Sequence, residues 1–274
     1  MPQQVENSLE KRGLMVENLR AGYQKKVIID DINLVIPSGK TTVLIGPNGS
    51  GKSTLLNTIA RMLAPLGGCI TLDGKSIHQQ PTKAVAQQLG ILPQSPLLPE
   101  GLTAMELVSR GRFPWQRFLH QWSEADEQAV RQALYLTGTA AFAHHPVESL
   151  SGGQRQRCWI AMALAQETPV ILLDEPTTFL DLRYQVEILE LLQNLVRHHG
   201  RTVVMVLHDL NFAVNYADML VLLKAGKLQS VIHDSNDCTA ELIRSIFDVE
   251  VQMLRNPLTG KPLFMPFPIP AGDL

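Results

Sequence analysis

The chain has 274 residues, a formal net charge of −2 at pH 7 and 45% hydrophobic residues. A chain of this length buries a core without needing disulfide bonds, and so small a charge offers no basic field that would favour nucleic acid as a partner. Its apolar runs, such as residues 203–207, are far shorter than the about 18 residues of a membrane-spanning helix. Residues 1–12 are polar and lack the apolar centre of a secretory signal. We therefore expect a cytoplasmic protein that does not cross the bilayer.

Cysteine and histidine spacing gives no sign of a metal site. Cys69, Cys158 and Cys238 are widely separated, which favours buried free thiols over a disulfide or a metal centre. The histidines at 144–145 and 198–199 are adjacent, so neither pair shares a helix face as residues four apart would. We interpret both pairs as solvated surface.

The first third of the chain predicts strands. Short apolar runs separated by Gly, Pro and Asn turns lie at residues 27–29, 32–36, 41–45 and 69–72. The run at 41–45 leads into a glycine-rich turn. A helical pattern follows, with one apolar face made of Leu55, Leu56, Ile59 and Leu63.

Further along the chain the pattern changes to helices and then to alternation. Residues from about 103 to 137 predict a helical insert, with a capping box at Ser123 and Asp126. The alternation of helix and apolar strand after Gly152 predicts a parallel sheet. The expected elements of this alternation are a helix at 154–166, a strand at 170–173, a helix at 181–199 and a strand at 202–207, followed by a further helix and strand. After Gly226 we expect a hairpin, a helix over 239–247 and short terminal strands.

Residues 46–53 match the pattern G-x-x-x-x-G-K-[ST] between a predicted strand and a predicted helix. Glycines let successive N–H groups turn toward a phosphate, and the dipole of the helix start adds to the attraction. Lys52 can reach the β- and γ-phosphates, and the Ser53 hydroxyl suits Mg²⁺. The sequence thus predicts a nucleotide site made of Gly46, Pro47, Asn48, Gly49, Ser50, Gly51, Lys52, Ser53 and Thr54.

A second set of polar residues follows apolar strands. Asp174 and Glu175 end the run 170–173; Asp174 is placed to hold Mg²⁺, and Glu175 to orient or deprotonate water as the catalytic base. Read without the phosphate loop, the pair would only cap the next turn. His208 closes another strand and can contact the γ-phosphate or position Glu175. Gln94 follows residues 89–92, and its amide could touch Mg²⁺ or the attacking water.

The segment Leu150-Ser151-Gly152-Gly153-Gln154 matches the ABC signature sequence. With the phosphate loop, Gln94, Asp174-Glu175 and His208 in order, nearly the whole chain resembles an ABC ATPase. The resemblance implies an α/β fold: a P-loop NTPase core with a mostly parallel sheet, an antiparallel β subdomain and a helical subdomain. It also implies a head-to-tail homodimer that binds ATP and Mg²⁺, in which Ser151, Gly152, Gly153 and Gln154 of one subunit cover the γ-phosphate held by the other.

The same resemblance implies roles for two further residues. Tyr23, beside Gly22, matches the aromatic residue that stacks on adenine, although a half-buried turn tyrosine is the alternative. Asp181 ends the segment 177–181, where many members have Ser-Ala-Leu-Asp. Because Asp181 is kept, signalling across the dimer interface is expected to be kept as well.

Residues 154–168, 109–112 and 207–211 resemble the ATPases of ferric-siderophore importers. This resemblance implies a peripheral protein on the cytoplasmic face of a bacterial cell membrane. There it would power a separate permease, and it would depend indirectly on a periplasmic or surface substrate-binding protein. The alternatives are a cobalamin or heme importer ATPase, or a soluble ABC ATPase of Fe–S assembly.

The stretch 111–122, with alternating aromatic and basic residues, has three interpretations: packing within the helical subdomain, contact with a permease, and nucleic-acid binding. Two arginines are too few for nucleic acid, which we do not expect as a partner. The domain prediction is a polar tail at 1–12, a single ABC ATPase domain at 13–266 with its helical subdomain at about 100–165, and a C-terminal tail at 267–274.

Overall fold

The structure is a computed structural model that describes residues 13–24, 26–94, 101–116 and 122–267. The chain divides into two compact units, one made of Met1–His78 with Val204–Leu274 and the other of Gln79–Val203. The tails predicted at 1–12 and 267–274 lie outside the described residues, apart from Phe267.

The strands and helices are numbered in chain order. The strands are β1 (Gly13–Tyr23), β2 (Lys26–Pro37), β3 (Thr41–Ile45), β4 (Gly67–Leu72), β5 (Lys75–Ser76), β6 (Leu89–Leu92), β7 (Val170–Asp174), β8 (Thr202–Val206), β9 (Met219–Lys224), β10 (Lys227–Ile232), β11 (Glu250–Arg255) and β12 (Pro262–Phe267). The α-helices are α1 (Lys52–Ile59), α2 (Thr82–Ala86), α3 (Ala104–Ser109), α4 (Glu124–Leu136), α5 (Gly152–Ala165), α6 (Leu182–His199), α7 (Leu210–Tyr216) and α8 (Ala240–Phe247).

The first unit contains an antiparallel sheet in the order β2-β1-β4-β5. Ile32, Leu34 and Ile36 alternate with exposed residues along β2, so one face of this strand is buried. The runs 27–29 and 32–36, predicted as separate strands, belong to this one strand. The backbone is left-handed at Asp31 (φ 54°) and the register with β1 shifts nearby, as at a β-bulge that keeps the strand continuous.

The same unit contains β3, which pairs in parallel with β9, while β10 pairs antiparallel with β9. All five residues of β3 are buried, as expected for a strand covered on both faces. Helix α1 follows it and buries Leu55, Leu56 and Ile59. The fourth residue predicted for this face, Leu63, lies beyond the helix, because Arg61 is left-handed (φ 61°) and turns the chain away.

The second unit contains β6 and β7, which pair in parallel, and five of the helices. The capping box predicted for α4 is confirmed: Ser123 Oγ accepts a hydrogen bond from the Asp126 amide, and the Asp126 carboxylate accepts from the Ser123 amide. The parallel pairings in both units confirm the predicted α/β fold with a mostly parallel sheet. Strand β8 begins in this unit and ends in the other.

A buried ion pair holds part of the aromatic and basic stretch 111–122 within the second unit. Arg112 is 5% exposed and donates to Asp126 and to Glu167, each at 2.8 Å. Its guanidinium also lies over the Trp115 ring, 5.5 Å from the centroid. Arg112 therefore packs within the second unit, whereas Phe113 is 75% exposed. Residues 117–121 lie outside the described residues.

The cysteines are free thiols, as predicted, but they are not equally buried. Burial raises the pKa of Cys158 to about 12 and that of Cys238 to about 11. Cys69 is only partly buried, and its Sγ donates to the Glu17 carboxylate. The described residues include no helix that is long and apolar enough to span a membrane.

Candidate functional site

The glycine-rich loop between β3 and α1 is tightly enclosed at its start. Gly46 has φ 153°, and a Cβ there would lie 2.0 Å from the Leu223 carbonyl oxygen. No other residue could take that place without moving the backbone. The turn between β9 and β10 also holds the loop, because the Gly226 amide donates a hydrogen bond to the Ser50 carbonyl at 3.1 Å. Asn48 and Gly49 form the exposed crest of the loop.

Helix α1 begins in a way that suits an anion. Its N-cap is Gly51 (φ 99°), and no side chain in the described part of the chain caps it there. Amide groups in a first turn without a side-chain cap, together with the helix dipole, attract phosphate. Ser53 and Thr54 lie in this first turn, Ser53 partly exposed and Thr54 buried.

Lys52 brings the positive charge into the loop. Its side chain is 5% exposed, and Nζ donates to the carbonyl oxygens of Gly46 (2.8 Å) and Pro47 (2.9 Å). These contacts hold the buried ammonium group of Lys52 against the loop backbone. The first unit thus presents a glycine-rich loop, a helix start and a buried lysine, a combination that suits a phosphate group.

Two more predicted site residues belong to the first unit. Tyr23 ends β1 and is 49% exposed, so its ring face is open to stacking. His208 follows β8 and is exposed. The strand leading to it is anchored, because the Leu207 amide donates to the Leu44 carbonyl of β3 at 3.3 Å.

In the second unit, β7 delivers two buried carboxylates. Asp174 is 1% exposed and Glu175 is 9% exposed. Glu175 has a left-handed backbone (φ 54°), which is costly for a residue with a side chain and is found most often where function demands it.

Hydrogen bonds orient the Glu175 carboxylate from two sides. Gln94 Nε2 donates to Oε1 at 2.7 Å, and Thr178 Oγ1 donates to Oε2 at 3.2 Å. The sequence predicted Gln94 as a site residue, and the structure brings it to Glu175. Thr178 was not predicted as a site residue. The sequence feature that could have indicated it is a threonine three residues after the carboxylate, in a turn that the hydrogen bond from the Thr178 amide to the Glu175 carbonyl closes.

The signature segment forms the start of α5. Ser151 is the N-cap: its Oγ accepts from the Gln154 amide at 3.2 Å, and its own amide donates to Gln154 Oε1 at 2.9 Å. A serine hydroxyl that accepts in a cap still has its own hydrogen to donate. Ser151 and Gly152 are exposed, so this helix start offers donors for a second anion.

The same helix packs on the turn that follows Glu175. Gln156 Nε2 donates to the Pro176 carbonyl at 3.2 Å, and a Cβ on Gly153 would lie 3.4 Å from the Phe179 carbonyl oxygen. Asp181 ends the turn as the N-cap of α6, accepting from the Tyr184 amide at 3.2 Å. The signature segment and the turn that follows Glu175 are therefore in direct contact within the second unit.

Taken separately, the first unit has a glycine-rich loop with a buried lysine, and the second has a buried carboxylate held by two hydrogen bonds and an exposed helix start at Ser151. Such a set on an α/β fold defines an ATPase of the P-loop class. A family model described as ABC transporter matches residues 29–178, more than half of the chain. The chain belongs to the ABC transporter family.

Relatives match almost the whole chain. The achromobactin transport ATP-binding protein CbrD of Dickeya dadantii is 51% identical over 249 residues, covering 91% of this chain and 93% of CbrD. The ferric enterobactin transport ATP-binding protein FepC of Escherichia coli is 45% identical over 250 residues, covering 91% of this chain and 92% of FepC.

Solved structures show the same fold. A metal-chelate type ABC transporter in an inward-facing conformation matches with a TM-score of 0.79 and 30% identity, over 93% of this chain and 98% of that one. The ATP-binding cassette MJ0796, a dimer bound to ADP and phosphate, matches with a TM-score of 0.73 and 31% identity, over 80% of this chain and 98% of that one. These matches confirm the predicted ABC ATPase fold.

Proposed function

We propose that this chain is the ATP-binding and ATP-hydrolysing subunit of an importer that takes up a ferric siderophore through a separate membrane permease. The observation that carries the proposal is identity of 45% and 51% to subunits named for ferric enterobactin and achromobactin transport, over nine-tenths of the chain. Identity of that extent reaches far beyond the motifs that ATP binding alone requires.

The proposed nucleotide site uses residues 46–54 for the phosphates. The loop amides and Lys52 bind the β- and γ-phosphates, while Tyr23 stacks on adenine. The fit rests on the enclosed Gly46 and on the buried ammonium of Lys52, which donates hydrogen bonds to the loop carbonyls. A phosphate oxygen is a stronger acceptor for that ammonium than a peptide carbonyl because it carries charge.

Glu175 is the proposed catalytic base. Its carboxylate accepts a proton from water, the water oxygen bonds to the γ-phosphorus, and the bond from that phosphorus to the ADP oxygen breaks. The two hydrogen bonds on Glu175 hold its carboxylate in one orientation, which is what a base aimed at one water molecule needs. His208 contacts the γ-phosphate or positions Glu175.

Mg²⁺ is the proposed metal cofactor. Ser53, Asp174 and Gln94 carry hydroxyl, carboxylate and amide oxygens, and Mg²⁺ prefers oxygen ligands of these kinds. The Asp174 carboxylate lies at the end of β7, where it would provide an oxygen ligand to the ion. When bound, the ion neutralises charge on the phosphate oxygens as the γ-phosphoryl group leaves.

A head-to-tail homodimer is the proposed active form. Ser151, Gly152, Gly153 and Gln154 of one subunit would cover the γ-phosphate bound by the other, and Asp181 would act at the interface between them. The exposed helix start at Ser151 supports this, as does the dimer formed by the MJ0796 cassette. We further propose that residues 13–266 act as a single ATPase domain with a helical subdomain at about 100–165.

The proposed location is the cytoplasmic face of a bacterial cell membrane, as a peripheral protein. Residues from about 103 to 137 would contact the permease, and a periplasmic or surface substrate-binding protein would deliver the chelate. Exposed aromatic side chains at Phe113 (75%) and Tyr135 (78%) in that segment support a protein partner there.

Growth on defined iron sources tests the proposal. A strain that lacks this chain and has no redundant importer is grown under iron limitation with single purified siderophores, and is complemented with wild type, Lys52→Ala or the surface control Lys227→Met. We expect wild type and Lys227→Met, but not Lys52→Ala, to restore growth on at least one siderophore. Equal use of every siderophore by the deletion strain and its parent would contradict the proposal; failure only on cobalamin-dependent medium would redirect it to cobalamin import.

A further inference from the structure

Helix α7 begins two residues after His208 and is held by the C-terminal hairpin of β11 and β12. The hairpin lies about fifty residues further along the chain, so its contact with α7 is purely tertiary. It is anchored in its own unit, because Phe264 of β12 is 2% exposed. Removing an aromatic side chain from water to that extent stabilises its position in the unit.

At its first turn, α7 is joined to β12 by a two-way bridge. Asn211 Nδ2 donates to the Phe264 carbonyl at 3.1 Å, and the Phe264 amide donates to Asn211 Oδ1 at 2.8 Å. The side-chain amide of Asn211 thus does what the peptide group of a neighbouring strand would do. A single side chain that both donates and accepts fixes the helix in direction as well as distance.

At its last turn, the same helix is held by Lys261, which lies just before β12. Lys261 Nζ donates to the Asn215 carbonyl at 2.6 Å and to the Val214 carbonyl at 3.3 Å. A cation at the C-terminal end of a helix binds carbonyls that have no partner within the helix and also interacts favourably with the dipole. The hairpin therefore grips both ends of a helix of only seven residues.

His208 lies between two fixed points. On one side, Leu207 is hydrogen-bonded to β3; on the other, Asp209 caps α7 by accepting from the Phe212 amide at 2.8 Å. A tilt or rotation of α7 would be transmitted to the imidazole through a single residue. A misplacement of about 1 Å at a catalytic group can cost roughly 10²-fold in rate.

We propose that the hairpin of β11 and β12 acts through Asn211 and Lys261 as a clamp that sets the position of His208 for ATP hydrolysis. Asn211 and Lys261 are positioning residues, and neither touches the nucleotide. The proposal rests on the role of His208 in hydrolysis given above. Under this proposal the hairpin of β11 and β12 affects the rate of ATP hydrolysis and has no part in selecting the transported substrate.

The test measures kcat and KM for ATP with the full chain. Asn211→Ala and Lys261→Met should each lower kcat by about tenfold and leave KM within about twofold, since the phosphate loop and Tyr23 are unchanged. Lys261→Arg should restore most of kcat, because a guanidinium can donate to the same two carbonyls. Lys227→Met, an exposed lysine of β10, is the matched control and should match wild type.

A second measurement shows whether the clamp acts through His208. In the His208→Ala background, Asn211→Ala and Lys261→Met should cause no further loss of kcat, because residues that act through a shared group are not additive. Losses that multiply would overturn the clamp, as would wild-type kcat in both single variants. Wild-type kcat in His208→Ala would instead remove the role of His208 itself. Circular dichroism checks folding; should Asn211→Ala not fold, the Lys261 variants decide the outcome.

Discussion

Glu175 combines three features that rarely coincide in one residue: a left-handed backbone, burial, and hydrogen bonds to both carboxylate oxygens. Backbone strain of this kind costs about 1 to 3 kcal/mol and persists only where the surrounding structure over-determines it. Gln94 and Thr178 provide part of that surrounding structure. The strain, the burial and the hydrogen bonds all favour one orientation of a single carboxylate.

The substitution Glu175→Gln should lower kcat by about 10²- to 10⁴-fold, because an amide cannot accept the proton of the attacking water. The affinity for ATP should be retained, since the phosphate loop is in the other unit and is unchanged. Steady-state hydrolysis and equilibrium binding of a fluorescent ATP analogue measure the two effects. Glu187→Gln, an exposed carboxylate on α6, is the control; turnover of Glu175→Gln equal to that of the control would exclude Glu175 as the base.

Helix α4 contains a buried charge in its first turn, the carboxylate of Asp126. Burial by itself would raise the pKa of Asp126, but hydrogen bonds from Ser123 and Arg112 outweigh it and hold the pKa below its ordinary value. A depressed folded-state pKa contributes stability above the unfolded value of about 4, and that contribution is lost as the pH falls through the folded-state pKa. The capping box and the Arg112 ion pair share this carboxylate.

Asp126→Ala should therefore lower the free energy of unfolding by about 1.5 to 3 kcal/mol at pH 7, because the buried Arg112 would lose one of its two carboxylate partners and keep only Glu167. The difference from wild type should shrink below about pH 4, where the unfolded carboxyl is protonated. Urea unfolding at pH 7 and at pH 3.5 measures it. Glu127→Ala, one residue away and part of an exposed pair with Arg131, should cost no more than about 1 kcal/mol. Equal losses for both variants would contradict a special role for Asp126.

At the scale of the whole molecule, each chain has two helix starts that we propose bind phosphate, one at Gly51 and one at Ser151. One nucleotide does not need two helix starts from the same chain. The second site is explained if it serves the nucleotide of another copy. ATP then links two subunits only while its γ-phosphate is present.

ATP should drive dimerisation of the Glu175→Gln chain, and ADP should not. Light scattering with saturating nucleotide and Mg²⁺ measures the mass in solution. Adding Ser151→Arg should prevent the dimer, because a bulky side chain would block the helix start, whereas Ser149→Ala, two residues earlier, should not. A monomer in saturating ATP would show that the signature segment and the phosphate loop do not share a nucleotide.

Much of the site could be predicted from the chain alone, because the chemistry is local in sequence. The phosphate loop needs its glycines and its lysine at fixed spacing, and a strand that ends in two carboxylates is readable from hydrophobicity. Thr178 was not predicted because its hydroxyl contacts the Glu175 carboxylate only in the folded turn. Leu63 was misplaced because a left-handed Arg61 leaves little trace in the sequence.

The sequence by itself determined the class of fold, the order of strands and helices, the phosphate loop and the family, since each depends on periodicity or on residues close together in the chain. Only the tertiary structure decided which distant side chains meet. Gln94 reaches Glu175 across 81 residues, Arg112 reaches Glu167 across 55, and Asn211 bridges to Phe264 across 53. Such pairs depend on how elements pack, and packing follows from the whole core, which no local pattern encodes.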